Sequence, residues 1–173
     1  MFELNFKVLA NYNKTTNEYM NNYIMKISEA QWDKDLNGYF KSIHELCSHI
    51  YICDFTWLKR FSALREFKTL NNTFFDKAYT FKETLFCNIQ EYIQLRNELD
   101  NIIISFINEL DNNDLDSILK FTDSKGTEIE RNMQALILHV FTHEVHHRGM
   151  ISLYLEQLGI ENGFSGSLYK VDL

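Results

Sequence analysis

Proline is absent from the 173-residue chain, and only 6 of its residues are glycine. Proline interrupts helices because it lacks a backbone N–H and because its ring collides with the preceding turn. Its absence leaves long helices unbroken and therefore favours an all-α fold.

The chain also lacks a positive charge excess. It has 17 Lys and Arg residues against 24 Asp and Glu residues, which gives a net charge of −7 and a pI near 5.3. A protein that wraps a phosphate backbone needs the opposite balance, so we expect no direct nucleic-acid partner.

Long apolar runs are missing too. No segment approaches the roughly 18 consecutive apolar residues of a membrane span. The first residues, Met1 to Lys7, lack the charged-then-apolar pattern of a signal segment. We therefore expect a cytoplasmic protein with no membrane partner.

Cysteine is sparse and irregularly spaced. Cys47, Cys53 and Cys87 form an odd set without a CxxC motif. Neither a disulfide framework nor a zinc ribbon is indicated. We predict three reduced, buried thiols, because free cysteine is among the most buried residue types.

The remaining composition is that of a packed globular protein, with 45% hydrophobic, 14% aromatic and 24% charged residues. A chain of this length suits one domain with a substantial core. We predict a single domain over residues 1–173, without internal repeats.

Apolar periodicity predicts four long helices. Ser42 and Glu45 have the spacing of a capping box, which places the start of the second helix. Between the first two helices we expect a loop with a short turn at Asn37-Gly38, and between the second and third a long polar connection. The predicted helices are Glu3 to about Ile27, Ile43 to about Arg65, Phe81 to about Leu110, and Arg131 to Leu158.

A small β-hairpin is predicted before the last helix, where two short alternating segments surround Gly126 between Ile118 and Glu130. Gly159 then ends the last helix in the C′ position, and the tail beyond it is expected to pack loosely. The predicted fold is therefore an all-α four-helix bundle with a small β-hairpin before the last helix.

Four of the six histidines, His139, His143, His146 and His147, fall within nine residues of the last helix. Histidines four residues apart on a helix point the same way, so both can reach one metal ion. Helix geometry places His147 inside the apolar face and His143 at its edge. His139 and His146 lie further round, toward solvent, so His143 and His147 are the preferred ligands.

A single helix rarely completes a metal site, so a further ligand is expected from elsewhere. On the second helix His49 lies at the margin of the apolar face, whereas His44 projects to the opposite side. His49, His143 and His147 therefore form a predicted three-histidine site with an open fourth position, which is typical of catalytic metal sites. The alternative is that these histidines only form hydrogen bonds within the core or lie on a solvated edge.

Glu144 falls near the centre of the apolar face of the last helix, where an unpaired carboxylate would be costly. Arg148 lies four residues later and can form an ion pair with it. The functional alternative is a carboxylate that orients a ligand or carries a proton near the metal, with Arg148 in support.

Residues His143-Glu144-Val145-His146-His147 also satisfy the HExxH pattern of zinc proteases. In those enzymes the helix lies beneath a cleft edged by a strand, and this chain offers almost no strand. We therefore disfavour a protease.

The segment from His143 to Gly149 resembles the NHxxHHRGQ signature of the DinB-like (DinB/YfiT) metalloenzymes. The segment from Ser42 to His49, followed by Asp54, Trp57 and Leu58, is similar to the second helix of that family. Helix order, spacing and the hairpin agree as well, so the resemblance covers nearly the whole chain.

The resemblance implies an unusual four-helix bundle, often a homodimer, in which a histidine triad binds zinc or nickel. By position the triad would be His49, His143 and His147. Two residues depart from the signature: Thr142 replaces Asn, and Met150 replaces Gln. Loss of that Gln removes a polar group near the site and leaves the specific chemistry open.

Relatives in the wider superfamily are thiol-dependent transferases and isomerases that use low-molecular-weight thiols such as bacillithiol, mycothiol or glutathione. The resemblance thus implies a metal-dependent thiol S-transferase in stress or detoxification, with a thiol and an electrophile as partners. Two alternatives remain: a non-catalytic metal-binding or dimeric structural protein, and a metal-dependent hydrolase.

Overall fold

A computed structural model describes residues 5–164. It confirms a mostly helical fold with a two-stranded antiparallel hairpin before the last helix. None of the described helices has the length and apolar content needed to cross a membrane. In chain order the elements are α1 (Phe6–Ile24), α2 (Glu29–Trp32), α3 (Ile43–Phe61), α4 (Ile89–Glu109), α5 (Asn112–Asp116), β1 (Ile118–Thr122), β2 (Glu128–Asn132) and α6 (Met133–Gln157).

The four long helices α1, α3, α4 and α6 form the bundle. Helix α1 packs against α4 and α6, and α3 packs against the same two helices. Helices α1 and α3 therefore lie diagonally across the bundle, whereas α3 and α6, which carry the predicted ligands, are direct neighbours.

Each of the four long helices starts or ends close to a predicted residue. Helix α3 begins after Ser42, whose hydroxyl oxygen accepts a hydrogen bond from the Glu45 backbone N–H at 3.1 Å. It ends at Phe61, one turn before the predicted Arg65. The hairpin extends to Asn132, so α6 begins two residues later than predicted.

The predicted start of the third helix at Phe81 is wrong, because α4 begins at Ile89 with Asn88 as its N-cap. The preceding segment is irregular, and Phe86, with a φ of 69°, interrupts any helix at that residue. Its Leu85 backbone N–H instead donates to the Ser48 hydroxyl on α3 at 2.9 Å. This segment therefore packs across α3.

Three short elements were absent from the prediction. Ser28 forms a capping box with Gln31 and starts α2 in the predicted loop. A one-turn 3₁₀ helix at Thr73–Asp76 interrupts the long connection, and α5 follows α4 directly. The predicted loose tail lies outside the described residues from position 165 onward.

The core consists of two apolar clusters. One includes Phe61, Phe106 and Phe141, and the other includes Trp32 and Ile151. Each long helix also carries buried polar residues near its middle. We call them the polar layer: Asn13, Asn17, Asp54, Arg96, Asp100, Glu144 and Arg148.

Candidate metal centre

The predicted triad is brought together where α3 and α6 pack. The Nε2 atom of His143 lies 3.3 Å from Nε2 of His49 and 2.9 Å from Nε2 of His147. The rings of His49 and His147 also approach, with centroids 4.8 Å apart. His143 therefore lies between the other two histidines, with its Nε2 atom close to Nε2 of each.

The burial of each histidine agrees with the helix geometry. His147 is buried, His143 and His49 are half-buried, and His139 and His146 are exposed. The prediction that His139 and His146 lie toward solvent is therefore confirmed.

His44 projects to the side of α3 opposite His49, as predicted. Its ring is buried outside the bundle, where it stacks on Trp32 and forms a hydrogen bond to Asp33 at 2.7 Å. Its other ring nitrogen contacts the Leu85 carbonyl. His44 is covered by α2 and by the irregular segment that precedes α4. Periodicity along α3 alone could not predict these contacts.

The separations of the nitrogens fit a shared ion. Zinc–nitrogen bonds of about 2.0–2.1 Å in a tetrahedral site place two ligand nitrogens about 3.3 Å apart. The separation of 3.3 Å between His49 and His143 matches this value, and the 2.9 Å between His143 and His147 is slightly shorter. His147 Nδ1 is buried and has no hydrogen-bond partner among the described residues.

Cys53 also belongs to this region. Its sulfur lies 3.5 Å from Nε2 and 3.8 Å from Nδ1 of His49. His49, Cys53 and His143 form a group whose potential ligand atoms all lie within 4.8 Å of one another and could hold a metal ion. Burial raises the pKa of the Cys53 thiol to about 12.

The other two thiols differ in burial. Cys47 is fully buried in the core, as predicted, whereas Cys87 is exposed. The prediction of a buried Cys87 is wrong because this residue lies in the irregular segment before α4, on the outside of the bundle.

The histidine cluster disfavours protonation. Burial, together with the neighbouring histidines, lowers the pKa of His143 to about 4 and that of His147 to about 3. Burial likewise lowers the pKa of His49. Neutral imidazoles are the form that binds metals, so the cluster holds its nitrogens in a binding-competent state.

Glu144 lies directly behind the cluster and is fully buried, as its position on the apolar face predicted. One carboxylate oxygen accepts a hydrogen bond from Arg148 at 3.1 Å, so the predicted i,i+4 pair is confirmed. The other oxygen accepts one from Arg96 of α4 at 3.3 Å. Glu144 therefore ties α6 to α4 immediately beside His143.

Arg96 is the centre of the polar layer. Its guanidinium donates to Asp54 at 2.8 Å, to Asp100 at 2.8 Å and to Glu144. The three carboxyl groups face only two guanidinium groups, Arg96 and Arg148, so the layer carries an excess negative charge unless one acid is protonated.

Asp54 is the acid most suited to keep a proton. Burial and the nearby Glu144 raise its pKa well above the usual range. Burial opposes ionisation of Glu144 as well, but a hydrogen bond from Asp54 and the two arginines outweigh it and lower its pKa. Burial also raises the pKa of Asp100, to about 6.

Arg148 completes the polar layer on the side of α1. It donates to the side-chain oxygens of Asn13 and of Asn17, the latter at 3.1 Å. Asn17 in turn donates to Asp100 at 3.1 Å. All four long helices therefore contribute to one hydrogen-bonded network behind the histidines.

Phe40 forms the wall on the other side of the histidines. Its ring centroid lies 4.5 Å from that of His49 and 5.5 Å from that of His147. The Tyr154 hydroxyl donates to the Phe40 carbonyl at 2.5 Å and fixes this loop to α6. Phe40 also lines a surface cavity of about 230 Å³ together with Tyr39, Phe81, Lys82 and others.

Sequence reasoning missed Cys53, Arg96, Asp100 and Phe40 as parts of this region. Arg96 and Asp100 could have been predicted from the sequence, because they are charged residues four apart on the apolar face of a predicted helix. A buried charge needs a partner, and three unexplained charges on different helices indicate a shared network. Phe40 lies in a loop, where no periodicity indicates which way its side chain points.

Comparisons with known proteins agree with this architecture. The model of the DinB family matches residues 1–168. Protein DinB of Bacillus subtilis (strain 168) is 26% identical over 159 residues, which cover 92% of this chain and 88% of that protein.

A solved structure shows the same fold. The crystal structure of a DinB-like protein from Bacillus subtilis superimposes with a TM-score of 0.64, covering 90% of this chain and 94% of that one. The sequence identity of that pair is 17%, so this similarity supports the fold alone.

Proposed function

Because this chain belongs to the DinB family, we propose that it is a metal-dependent enzyme in which His49, His143 and His147 hold a divalent ion, zinc or nickel. One observation carries the proposal: Nε2 of His143 lies 3.3 Å and 2.9 Å from Nε2 of the other two histidines. One imidazole that approaches two others this closely through Nε2 has the nitrogen separations of ligands that share an ion.

The proposed reaction is transfer of a low-molecular-weight thiol to an electrophile, in a stress or detoxification role. A bound divalent ion lowers the pKa of a thiol or water molecule and so supplies a nucleophile at neutral pH. The chain contributes the neutral imidazoles that hold the ion and the Phe40 ring that shields them from solvent. The cavity beyond Phe40 offers aromatic surface from Tyr39 and Phe81 to an electrophile.

Glu144 and Arg148 are proposed as positioning residues rather than ligands. Glu144 is clamped between Arg96 and Arg148, so the helical turn that carries His143 and His147 is fixed relative to α4 and α1. A fixed ligand geometry raises metal affinity, and residues that support ligands are typically worth 10- to 100-fold in affinity or activity.

A second candidate is a non-catalytic role, in which an ion braces α3 against α6. The position of the Cys53 sulfur favours it, because four protein ligands are typical of structural zinc sites. If the ion has only this structural role, the metal should raise the free energy of unfolding and the protein should show no turnover.

Thiol addition to an aromatic electrophile, such as chlorodinitrobenzene, tests the proposal with zinc- or nickel-loaded protein. We expect metal-dependent turnover that His147→Ala abolishes. Cys87→Ser is the control, since it removes an exposed thiol that is not part of the candidate ligand group and should keep full activity. Turnover that survives metal removal would contradict the proposal, and stabilisation by metal without turnover would identify the brace.

We also propose that the protein is a homodimer. Leu138, Val145 and Leu153 follow one another at intervals of seven and eight residues on α6, and each side chain is at least a third exposed, with Leu153 at 53%. This spacing places them on one helix face, opposite the core. We propose that this exposed apolar stripe of Leu138, Val145 and Leu153 packs against the same stripe of a second copy of the chain.

A further inference from the structure

We infer that Cys53 is a fourth metal ligand, which completes a donor set of three imidazole nitrogens and one sulfur. The inference rests on the proposed site of His49, His143 and His147 and specifies what occupies its remaining position. It replaces the open position expected from the sequence by a protein sulfur in the resting protein.

The distances support a shared ion. Zinc–sulfur bonds of about 2.3 Å and zinc–nitrogen bonds of about 2.0–2.1 Å place a sulfur and a nitrogen about 3.5 Å apart in a tetrahedral site. The Cys53 sulfur lies 3.5 Å from Nε2 of His49. His49 Nε2 is thus at ligand-to-ligand separation from both the sulfur and His143 Nε2.

The placement of the four residues on their helices has a simple regularity. Cys53 follows His49 by four residues on α3, as His147 follows His143 by four residues on α6. Residues at this spacing project from the same face of a helix, one turn apart. The potential ligand atoms of His49, Cys53 and His143 lie within 4.8 Å of one another, and His147 joins this group through its 2.9 Å approach to His143.

Burial acts on the sulfur in two opposing ways: it keeps competing water away, but it also raises the pKa of the thiol, so the charge of the ion has to stabilise the thiolate. Cys53 is only 7% exposed, so few water molecules compete for its position. When the metal–sulfur bond forms, the S–H bond breaks and its proton leaves to solvent, as for any thiol ligand. Sulfur is a soft donor, and its presence favours zinc, nickel or cobalt over magnesium or calcium.

The fourth ligand also narrows the substrate class. Water is a poor competitor for the place of a thiolate, whereas an external thiol is chemically matched to it. In such an exchange the entering thiol gives up its proton and the departing Cys53 sulfur takes one, so no oxidant or reductant is consumed. If the exchange occurs, the donor set favours thiol transfer over hydrolysis; without it, the same four ligands form the structural brace.

Cobalt(II) substitution tests the inference by absorption spectroscopy, under anaerobic conditions. Visible ligand-field bands report a bound, tetrahedral cobalt ion, and a near-ultraviolet sulfur-to-cobalt charge-transfer band reports a cysteine ligand. We expect both signals in the wild type and in Cys87→Ser, the control for a thiol outside the site. Cys53→Ser and Cys53→Ala should keep the visible bands, lose the charge-transfer band and bind zinc at least about 10-fold more weakly.

The outcomes separate the two proposals. Absence of ligand-field bands in the wild type would overturn the metal site itself. Ligand-field bands without a charge-transfer band, or a charge-transfer band that persists in Cys53→Ser, would overturn only the role of Cys53. Circular dichroism checks that both variants are folded, and Cys53→Ser preserves the side-chain volume if Cys53→Ala does not fold.

Addition of 2-mercaptoethanol to cobalt-loaded Cys53→Ser tests the exchange. A returning charge-transfer band is the expected result, because an external thiol can then take the vacated position. Failure of the band to return would overturn the exchange of Cys53 for an external thiol.

Discussion

Arg96 and Arg148 hold Glu144 from two sides, and this arrangement explains how a bundle core tolerates a fully buried carboxylate. Each oxygen has a charged donor, at 3.3 Å and 3.1 Å respectively. Charge-assisted hydrogen bonds of this kind are stronger than neutral ones and offset part of the cost of desolvation. The histidine next to Glu144 gains a rigid support as a result.

Replacement of Arg96 tests this account. Arg96→Ala leaves Asp54, Asp100 and Glu144 buried without their shared cation, so we expect a loss of about 3–5 kcal/mol in the free energy of unfolding. Urea denaturation measures it. Arg131→Ala is the matched control, since the exposed guanidinium of this residue bonds, within residues 5–164, only to the neighbouring Glu130 carbonyl, and its effect should stay within about 0.5 kcal/mol. Equal effects of the two variants would contradict the account.

The depressed pKa of His147 predicts a pH dependence for the metal-free protein. The pKa is about 3 in the folded state and about 6.5 in an unfolded chain. Between these values the unfolded state binds more protons, so the contribution to stability is complete above the higher pKa and is lost as the pH falls.

His147→Gln removes this contribution and serves as the reference. Between about pH 6.5 and about pH 5.5 the wild type should lose roughly 0.5 kcal/mol relative to the variant, a value reduced for the solvent that reaches the ring. Urea denaturation with a chelator present measures the difference. Parallel pH profiles of the two proteins would show that His147 is protonated equally in both states.

At the scale of the helices, the sequence predicts those features that depend on contacts between residues close together in the chain. The start of α3 follows from the Ser42 cap, and the facing of His49, His143 and His147 follows from helical periodicity. The start of α4 did not, because Phe81 and Leu85 continue an apolar helical spacing. A local signal for the observed start was present, because Asn88 is the N-cap and accepts a hydrogen bond from the Glu91 N–H, but the apolar spacing upstream of it predicts an earlier start. The contact of Leu85 with Ser48 holds that upstream segment against α3.

The same reasoning explains which parts of the site could be predicted. Ligands on α6 share one helix, so their relative positions are fixed by the helix itself. The approach of Cys53 and Arg96 depends on the register between helices, which arises from packing of the whole bundle. Helical periodicity predicts that Cys53 and Arg96 are buried, but it does not predict which atoms of other helices they contact.

The loop that carries Phe40 offers a test at this scale. A Cβ at Gly38 would overlap the hydroxyl of Tyr154, which holds the Phe40 carbonyl. Gly38→Ala should therefore cost about 1–3 kcal/mol and displace Phe40 from the histidines. Urea denaturation measures the cost.

Gly149→Ala is the matched control in α6. Nothing lies within 4 Å of a Cβ added there, and alanine favours a helix over glycine, so this variant should gain about 0.5–1 kcal/mol. A Gly38→Ala protein as stable as the wild type would show that Tyr154 does not fix the loop.

For the whole molecule, the exposed stripe on α6 makes the proposed homodimer testable. Val145→Asp places a charge at its centre, where Val145 is 49% exposed in the single chain. Light scattering should give twice the chain mass of 20.6 kDa for the wild type and the single-chain mass for the variant. Ile118→Asp, on the exposed face of the hairpin, is the control and should remain dimeric. A monomeric wild type would contradict the proposal.

The metal site is the central claim, and metal content tests it most directly. Protein purified without an affinity tag is reconstituted with zinc or nickel, dialysed and subjected to elemental analysis. We expect about one ion per chain in the wild type, in His139→Ala and in His146→Ala, and almost none in His143→Ala, because His143 contacts both other ligands. A wild type without stoichiometric metal, or equal loss in His139→Ala and His143→Ala, would contradict the claim.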